Sequence, residues 1–168
     1  SIRKDNFYEN KKILRNDMPA DIFIRFTDIQ ATLALHSFNK LEDGLEKRKA
    51  LAKVLFNNLD EVVKTLIPSF INKHHKENSF WHFPIVINGN VKEFQSYLLK
   101  NGFDTVGYAL CLCSNEQCFM LYHANLINSK YIKENTTFLP IHDDFVFEDM
   151  EKLATAVNRY FQEVYQEI

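Results

Sequence analysis

The residues best equipped for acid–base, nucleophilic or metal chemistry are the six histidines and three cysteines. His74 and His75 are adjacent. Neighbouring residues point in different directions in any regular element, whereas metal-binding histidine pairs sit at helical spacing. The polar run Lys73–Asn78 therefore reads as an exposed loop. His36 sits in an apolar stretch and reads as a satisfied interior or interface histidine. His82 belongs to an aromatic segment, where an amphipathic surface or packing role is the simpler reading. His142 follows Pro140 and precedes Asp143-Asp144, and two roles stand for it: a base oriented by a carboxylate, or the start of a helix. Asp143 and Asp144 could act as paired carboxylates, but their position before an amphipathic run fits helix capping better. Cys111, Cys113 and Cys118 form a zinc set only with His123, at a spacing that fits no standard knuckle. Small, half-buried hydrophobes are the simpler reading of the cysteines. Nothing local supports a nucleophile pair of Cys118 with His142. On residue chemistry alone, no catalytic residue and no metal ligand is assigned.

The chain that must position these residues has 168 amino acids, 46% hydrophobic and 25% charged, with a formal net charge of −2. That length can bury a core and suits one domain. The charge balance argues against a nucleic-acid partner, since neutralising phosphates takes an excess of Lys and Arg. No run approaches a membrane span, and the polar Ser1–Asn6 lacks the apolar core of a signal peptide. Four glycines leave no Gly-rich loop for a phosphate, which excludes a P-loop and a dinucleotide fingerprint. The odd cysteine count closes no disulfide framework, so a reducing, cytoplasmic location is expected.

Along the chain, residues 1–20 read as a polar, basic tail, and Asp21–Phe26 as an extended segment. Thr27 or Asp28 caps a helix. Ile29, Leu33, Leu35, Leu41, Leu45, Leu51, Leu55 and Leu59 then recur near the helical period for about thirty residues. The opening turns, Ile29–Leu35, are apolar almost all round and should be buried on more than one side. The later turns are amphipathic, with a possible bend at Gly44. Three strands are expected: Ser79–Ile87, at an edge or bulge because of Pro84; Phe103–Cys113; and Thr136–Ile141. Asn88-Gly89-Asn90 is a turn. Val91–Asn101 is a short helix stopped by Gly102. Helical periodicity recurs at Cys118–Ile127. A final amphipathic helix runs from about Phe147 to Tyr165, with Leu153, Val157, Tyr160, Phe161 and Val164 as its stripe. This order predicts an α+β fold: a small, mainly antiparallel sheet with helices packed on one face, preceded by a long helix.

The order of segments carries a resemblance. Arg25–Leu35 resembles the "R-x-T-D-I-Q-A-A-L-G-L" stretch of DegT-type sugar aminotransferases, pyridoxal-phosphate enzymes of fold type I. In that family it opens the long helix joining a large cofactor domain to a small C-terminal domain. Lys47–Ala50 fits the Arg-containing continuation, and Trp81–Ile85 looks like the first small-domain strand. Leu98–Thr105 is similar to "L-x-x-x-G-[IF]-x-T". Cys118–Ile127 is similar to "[FC]-P-x-A-x-x-[IL]", with His123 in place of the family Pro. Phe138–His142 and Asp149-Met150 match "L-P-[LIV]-[HYP]" and the helix after it. The likeness covers about residues 20–168.

The resemblance implies that residues 1–25 are the remnant of a larger domain. Residues 26–168 would then be the small C-terminal domain with its connecting helix. Such enzymes transfer an amino group to a keto sugar attached to a nucleotide. Their Schiff-base lysine, the aromatic stacking on the cofactor and the acidic partner of the pyridine nitrogen lie upstream of the matching region. The implied cofactor is thus pyridoxal phosphate in the intact protein, with none expected on this chain alone, which should be inactive by itself. Trp81, His82 and His142 are the implied substrate-side residues, and Arg25 an implied contact to the cofactor phosphate across a homodimer. Asp21 and Phe23 stand where the family has Gly and Asn, and neither supplies a donor to a phosphate. The implied partners are the upstream large domain, a second copy and a nucleotide-linked sugar. Alternatives are a degenerate, non-catalytic binding domain of the same fold and a small zinc protein.

Overall fold

The computed structural model describes residues 27–106, 112, 114 and 126–163. Its first helix, α1 (Asp28–Asn39), starts where capping chemistry predicts. Thr27 Oγ1 accepts from the Gln30 backbone N–H, and Gln30 Oε1 accepts from that of Thr27 at 2.9 Å. This reciprocal box satisfies two otherwise orphaned donors. At Lys40 the helix breaks, and α2 (Leu41–Asn58) follows. The bend expected at Gly44 is therefore four residues too late. Gly44 is itself helical, and its N–H bonds the Lys40 carbonyl at 3.1 Å.

The two helices differ in what they bury. Leu51, Ala52 and Leu55 of α2 enter the core, whereas no residue of α1 is buried. Ile29 is 75% exposed, Leu33 63%, Leu35 62% and Phe38 69%. The expected burial of α1 on more than one side is thus not met within the described residues. His36 is exposed as well, so it is not an interior histidine here.

Two short helices, α3 (Glu61–Lys64) and α4 (Ser69–Lys73), carry Val63 and Ile71 into the core. The ribbon follows: β1 (Phe83–Val86), then α5 (Val91–Lys100), α6 (Ile127–Asn135) and β2 (Thr136–Leu139). β1 and β2 pair antiparallel, with Phe83 opposite Leu139 and Val86 opposite Thr136. Phe83 and Ile85 face the core, in the alternation expected of a strand with one dry face. Pro84 lies opposite Phe138, whose N–H and C=O are both taken by Val106 on the other side. The missing proline donor therefore leaves no ladder bond unmade. β1 begins four residues later than expected, so Trp81 and His82 precede the strand. Of the expected strand Phe103–Cys113, Val106 is seen bridging β2, and most of the rest lies outside the described residues.

Asn90 caps α5 by accepting from the Glu93 N–H, and Gly102 stops it at φ +89°. α6 was not anticipated, and the periodicity at Cys118–Ile127 falls almost wholly outside the described residues. α6 buries nothing, so it has no apolar stripe to read. The last helix, α7 (Phe147–Glu163), presents Met150, Leu153, Val157, Tyr160 and Phe161 to the core, with Val164 beyond the described residues. It packs along α2 and against Phe94 of α5, whose ring lies 4.9 Å from that of Tyr160 and 5.7 Å from that of Phe161. Asn158 ties α7 to the end of α2, accepting from the Asp60 N–H and donating to the Asn58 carbonyl, each at 2.9 Å. The architecture is α+β, helices against a small antiparallel ribbon, as the order of segments predicts.

Candidate functional site at one end of the ribbon

The antiparallel register sets the residues before Phe83 beside those after Leu139. One end of the ribbon thereby sets the adjacent pair Trp81 and His82 beside the segment leading to His142, some sixty positions on. Phe80 makes this possible locally. It adopts φ +47°, the only positive φ of a non-glycine among the described residues, and its N–H donates to Asn78 Oδ1 at 2.8 Å. Its ring is fully buried while Trp81, the next residue, is 74% exposed. A bulky residue in the left-handed region is costly and persists only where the surroundings hold it. Here Phe83 stacks on Phe80 at 6.3 Å and His75 meets it at 4.9 Å. His75 is thus half-buried packing, not the exposed loop residue expected, whereas His74 is exposed and pairs with Glu77. His82 is half-buried, its ring 4.6 Å from Phe138 and 6.1 Å from Trp81.

His142 stacks on Phe145 at 3.9 Å. Its Nδ1 accepts from the Asp144 backbone N–H at 3.3 Å, and the Asp144 carboxylate lies further off at 3.8 Å. The group that orients the imidazole is therefore a backbone donor, so the carboxylate-oriented base considered from the sequence is not what the fold builds. Nor do Asp143 and Asp144 cap α7. The carboxylate reaching back to the Val146 N–H, at 3.1 Å, belongs to Asp149.

Asp143 has a different task. Its Oδ1 lies 3.0 Å from Arg48 Nε, its carbonyl accepts from Lys47 Nζ, and its Oδ2 sits 2.8 Å from where a Cβ on Gly44 would be. One turn of α2 thus receives the segment that follows β2. A glycine inside an amphipathic helix costs about 1 kcal/mol relative to alanine, and its tolerance here was the sequence signal for a close approach. Gly44→Ala is expected to change unfolding free energy by less than about 1 kcal/mol in urea denaturation. The gain in helix propensity offsets the disturbed half-exposed ion pair, itself worth at most about 1 kcal/mol.

A cavity of about 410 Å³ lies beside this end of the ribbon, lined by the apolar Phe56, Ile71, Phe80 and Phe83 and by the polar Lys53, Asn57, Asn72, His75 and Lys76. A wider groove of about 700 Å³ runs past the other end, beside Gln95, Val106 and Thr136. Among the described residues, no group of three or more His, Cys, Asp or Glu is placed to hold a metal ion. No described helix is long and apolar enough to cross a membrane. Arg25, Asp21, Phe23, Cys111, Cys113, Cys118 and His123 lie outside the described residues.

Three solved structures share this fold. Helicobacter pylori PseC, an aminotransferase involved in the biosynthesis of pseudoaminic acid, superposes with a TM-score of 0.68 at 18% identity, over 95% of this chain and 47% of its own. An aminotransferase from Psychrobacter cryohalolentis gives 0.70 at 12% identity, over 92% and 46%. A DegT DnrJ EryC1 StrS aminotransferase from Brucella abortus gives 0.65 at 18%, over 86% and 39%. In sequence, protein MJ1066 of Methanocaldococcus jannaschii is 27% identical over 146 residues, 82% of this chain and 37% of that protein. The chain spans less than half the length of each of these relatives. Its residues 3–158 match a single family along nearly all of their length: the chain belongs to the DegT/DnrJ/EryC1/StrS aminotransferase family.

Proposed function

We propose that residues 26–168 are the small C-terminal domain of a pyridoxal-phosphate-dependent aminotransferase, and that residues 1–25 end its larger domain. The substrate class is a nucleotide-linked keto sugar. The observation that carries this reading is the family match over residues 3–158 of a chain less than half as long as its structural relatives. Pyridoxal phosphate would supply the electron sink. In this reading its lysine, its stacking aromatic and the acidic partner of its ring nitrogen lie in the upstream domain. The chain's own contribution is then a wall of the active site. Exposed Trp81 offers a flat apolar face for a ring, His82 and His142 offer polar edges, and Arg25 is assigned to the cofactor phosphate of a partner subunit.

In this reading the large domain covers α1, the working unit is a homodimer, and the protein is cytoplasmic, with neither nucleic acid nor membrane as partner. The full-length protein, given pyridoxal phosphate, glutamate and a nucleotide-linked keto sugar, is expected to form the amino sugar with stoichiometric loss of glutamate. The present chain, mixed with pyridoxal phosphate and gel-filtered, is expected to emerge without it. Cofactor retained by the chain alone would overturn the assignment of that site to the upstream domain. The substitutions at Asp21 and Phe23 favour a second reading, a non-catalytic binding domain, and a full-length protein unable to hold the cofactor would establish it.

A further inference from the structure

We infer that His142 is a fixed Nε2–H donor to a neutral acceptor oxygen of the bound sugar nucleotide, and that Arg48 and Gly44 are positioning residues for it. The inference rests on reading this end of the ribbon as a substrate wall. The tautomer follows from one contact. The Asp144 N–H donates to Nδ1 at 3.3 Å, so the lone pair of the neutral ring is at Nδ1 and its proton at Nε2. If the ring is protonated, Nε2 still carries hydrogen. In both charge states the imidazole therefore presents a donor at Nε2, and acceptance of a substrate proton there is closed off.

The ring is also held in place. Phe145 stacks on one face at 3.9 Å, and more than half of the side chain remains exposed. The residue after it is clamped to α2: Arg48 Nε on Asp143 Oδ1, Lys47 Nζ on the Asp143 carbonyl, and the carboxylate seated where Gly44 has no side chain. A donor fixed at the level of its backbone contributes orientation as well as a bond. Of the two neighbouring cations, Lys47 donates to the Asp143 carbonyl and Arg48 lies beside its carboxylate. What this spot offers a ligand is thus a single N–H donor, which suits a hydroxyl or carbonyl oxygen.

The test is a variant series in the full-length aminotransferase, read as kcat and KM for the sugar nucleotide. His142→Ala and His142→Asn should raise KM by about 5–10-fold, the size of one lost hydrogen bond, with kcat little changed. Asn keeps an acceptor near Nδ1 for the Asp144 N–H but does not reach the Nε2 position. His142→Gln, which places an N–H₂ there, should stay within about 3-fold of the parent. Gly44→Ala and Arg48→Lys should raise KM by a smaller factor while leaving unfolding midpoints near the parent's. A fall in kcat in all three His142 variants, Gln included, would overturn the donor role in favour of a base and leave the substrate wall standing. An unchanged KM in His142→Ala would overturn both for this residue, and Trp81→Ala would then report on the wall independently.

Discussion

Expressed alone, the chain is expected to self-associate through α1, and the double substitution Leu33→Glu, Phe38→Glu to return it to a monomer. Ile29, Leu33, Leu35 and Phe38 are each more than three-fifths exposed on a twelve-residue helix that buries nothing. Burying one such side chain stabilises by about 1.5–3 kcal/mol; Ile29 and Leu33 lie on one side of the helix and Leu35 and Phe38 on the other, so each side offers apolar contact surface. The gross gain is opposed by the loss of translational and rotational freedom, of order 4–15 kcal/mol. Association in roughly the micromolar to millimolar range is the consequence. Sedimentation velocity over a concentration series measures it. A chain that stays monomeric at the highest concentrations would refute the prediction. Association that survives the double substitution would move the contact elsewhere, to the exposed Trp81, Val146 and Phe147. In the full-length protein the same substitutions should instead loosen the seating of the small domain on the large one, which we propose covers α1.

The largest single-site loss of stability is expected at Phe94. Its ring is fully buried and touches Tyr160 edge-on and Phe161 from the side, so it fastens α5 to α7. Phe94→Ala removes the transfer free energy of the ring, leaves a cavity between helices and breaks two aromatic contacts. The expected cost is about 3–5 kcal/mol in denaturant unfolding. Leu99, on the same helix but 60% exposed, is the control, and Leu99→Ala should cost less than about 0.5 kcal/mol. Similar losses at the two sites would mean that α5 does not pack on α7 as described.

Local signals in the sequence were reliable where the governing interaction is itself local. Thr27 and Gln30 are three residues apart and form their capping box without help from elsewhere. Gly102 stops α5 because its backbone takes a left-handed conformation that costs glycine nothing. The apolar stripe of α7 was legible from its period and proved to be the buried face. Errors arose where tertiary contact decides. Gly44 looks like a bend in one dimension, but its role is to admit Asp143, ninety-nine positions downstream. Asp143 and Asp144 look like caps, yet the first is claimed by Arg48 and the cap is made by Asp149. His75 looks as solvated as His74, and only the unusual backbone of Phe80 gives it a ring to pack on.

The sequence by itself determined the fold class, the cap of α1, the glycine stop of α5 and the family to which the chain belongs, because these are written in residue order and in periods of two and 3.6. Tertiary structure alone decided that Trp81 and His82 lie beside the segment that follows β2, and that Asp143 meets Gly44 and Arg48 of α2. The physical reason is that strand register and ion pairs join residues far apart in the chain, Phe83 to Leu139 and Arg48 to Asp143, and no local spacing encodes which of several possible partners a strand or a carboxylate will find.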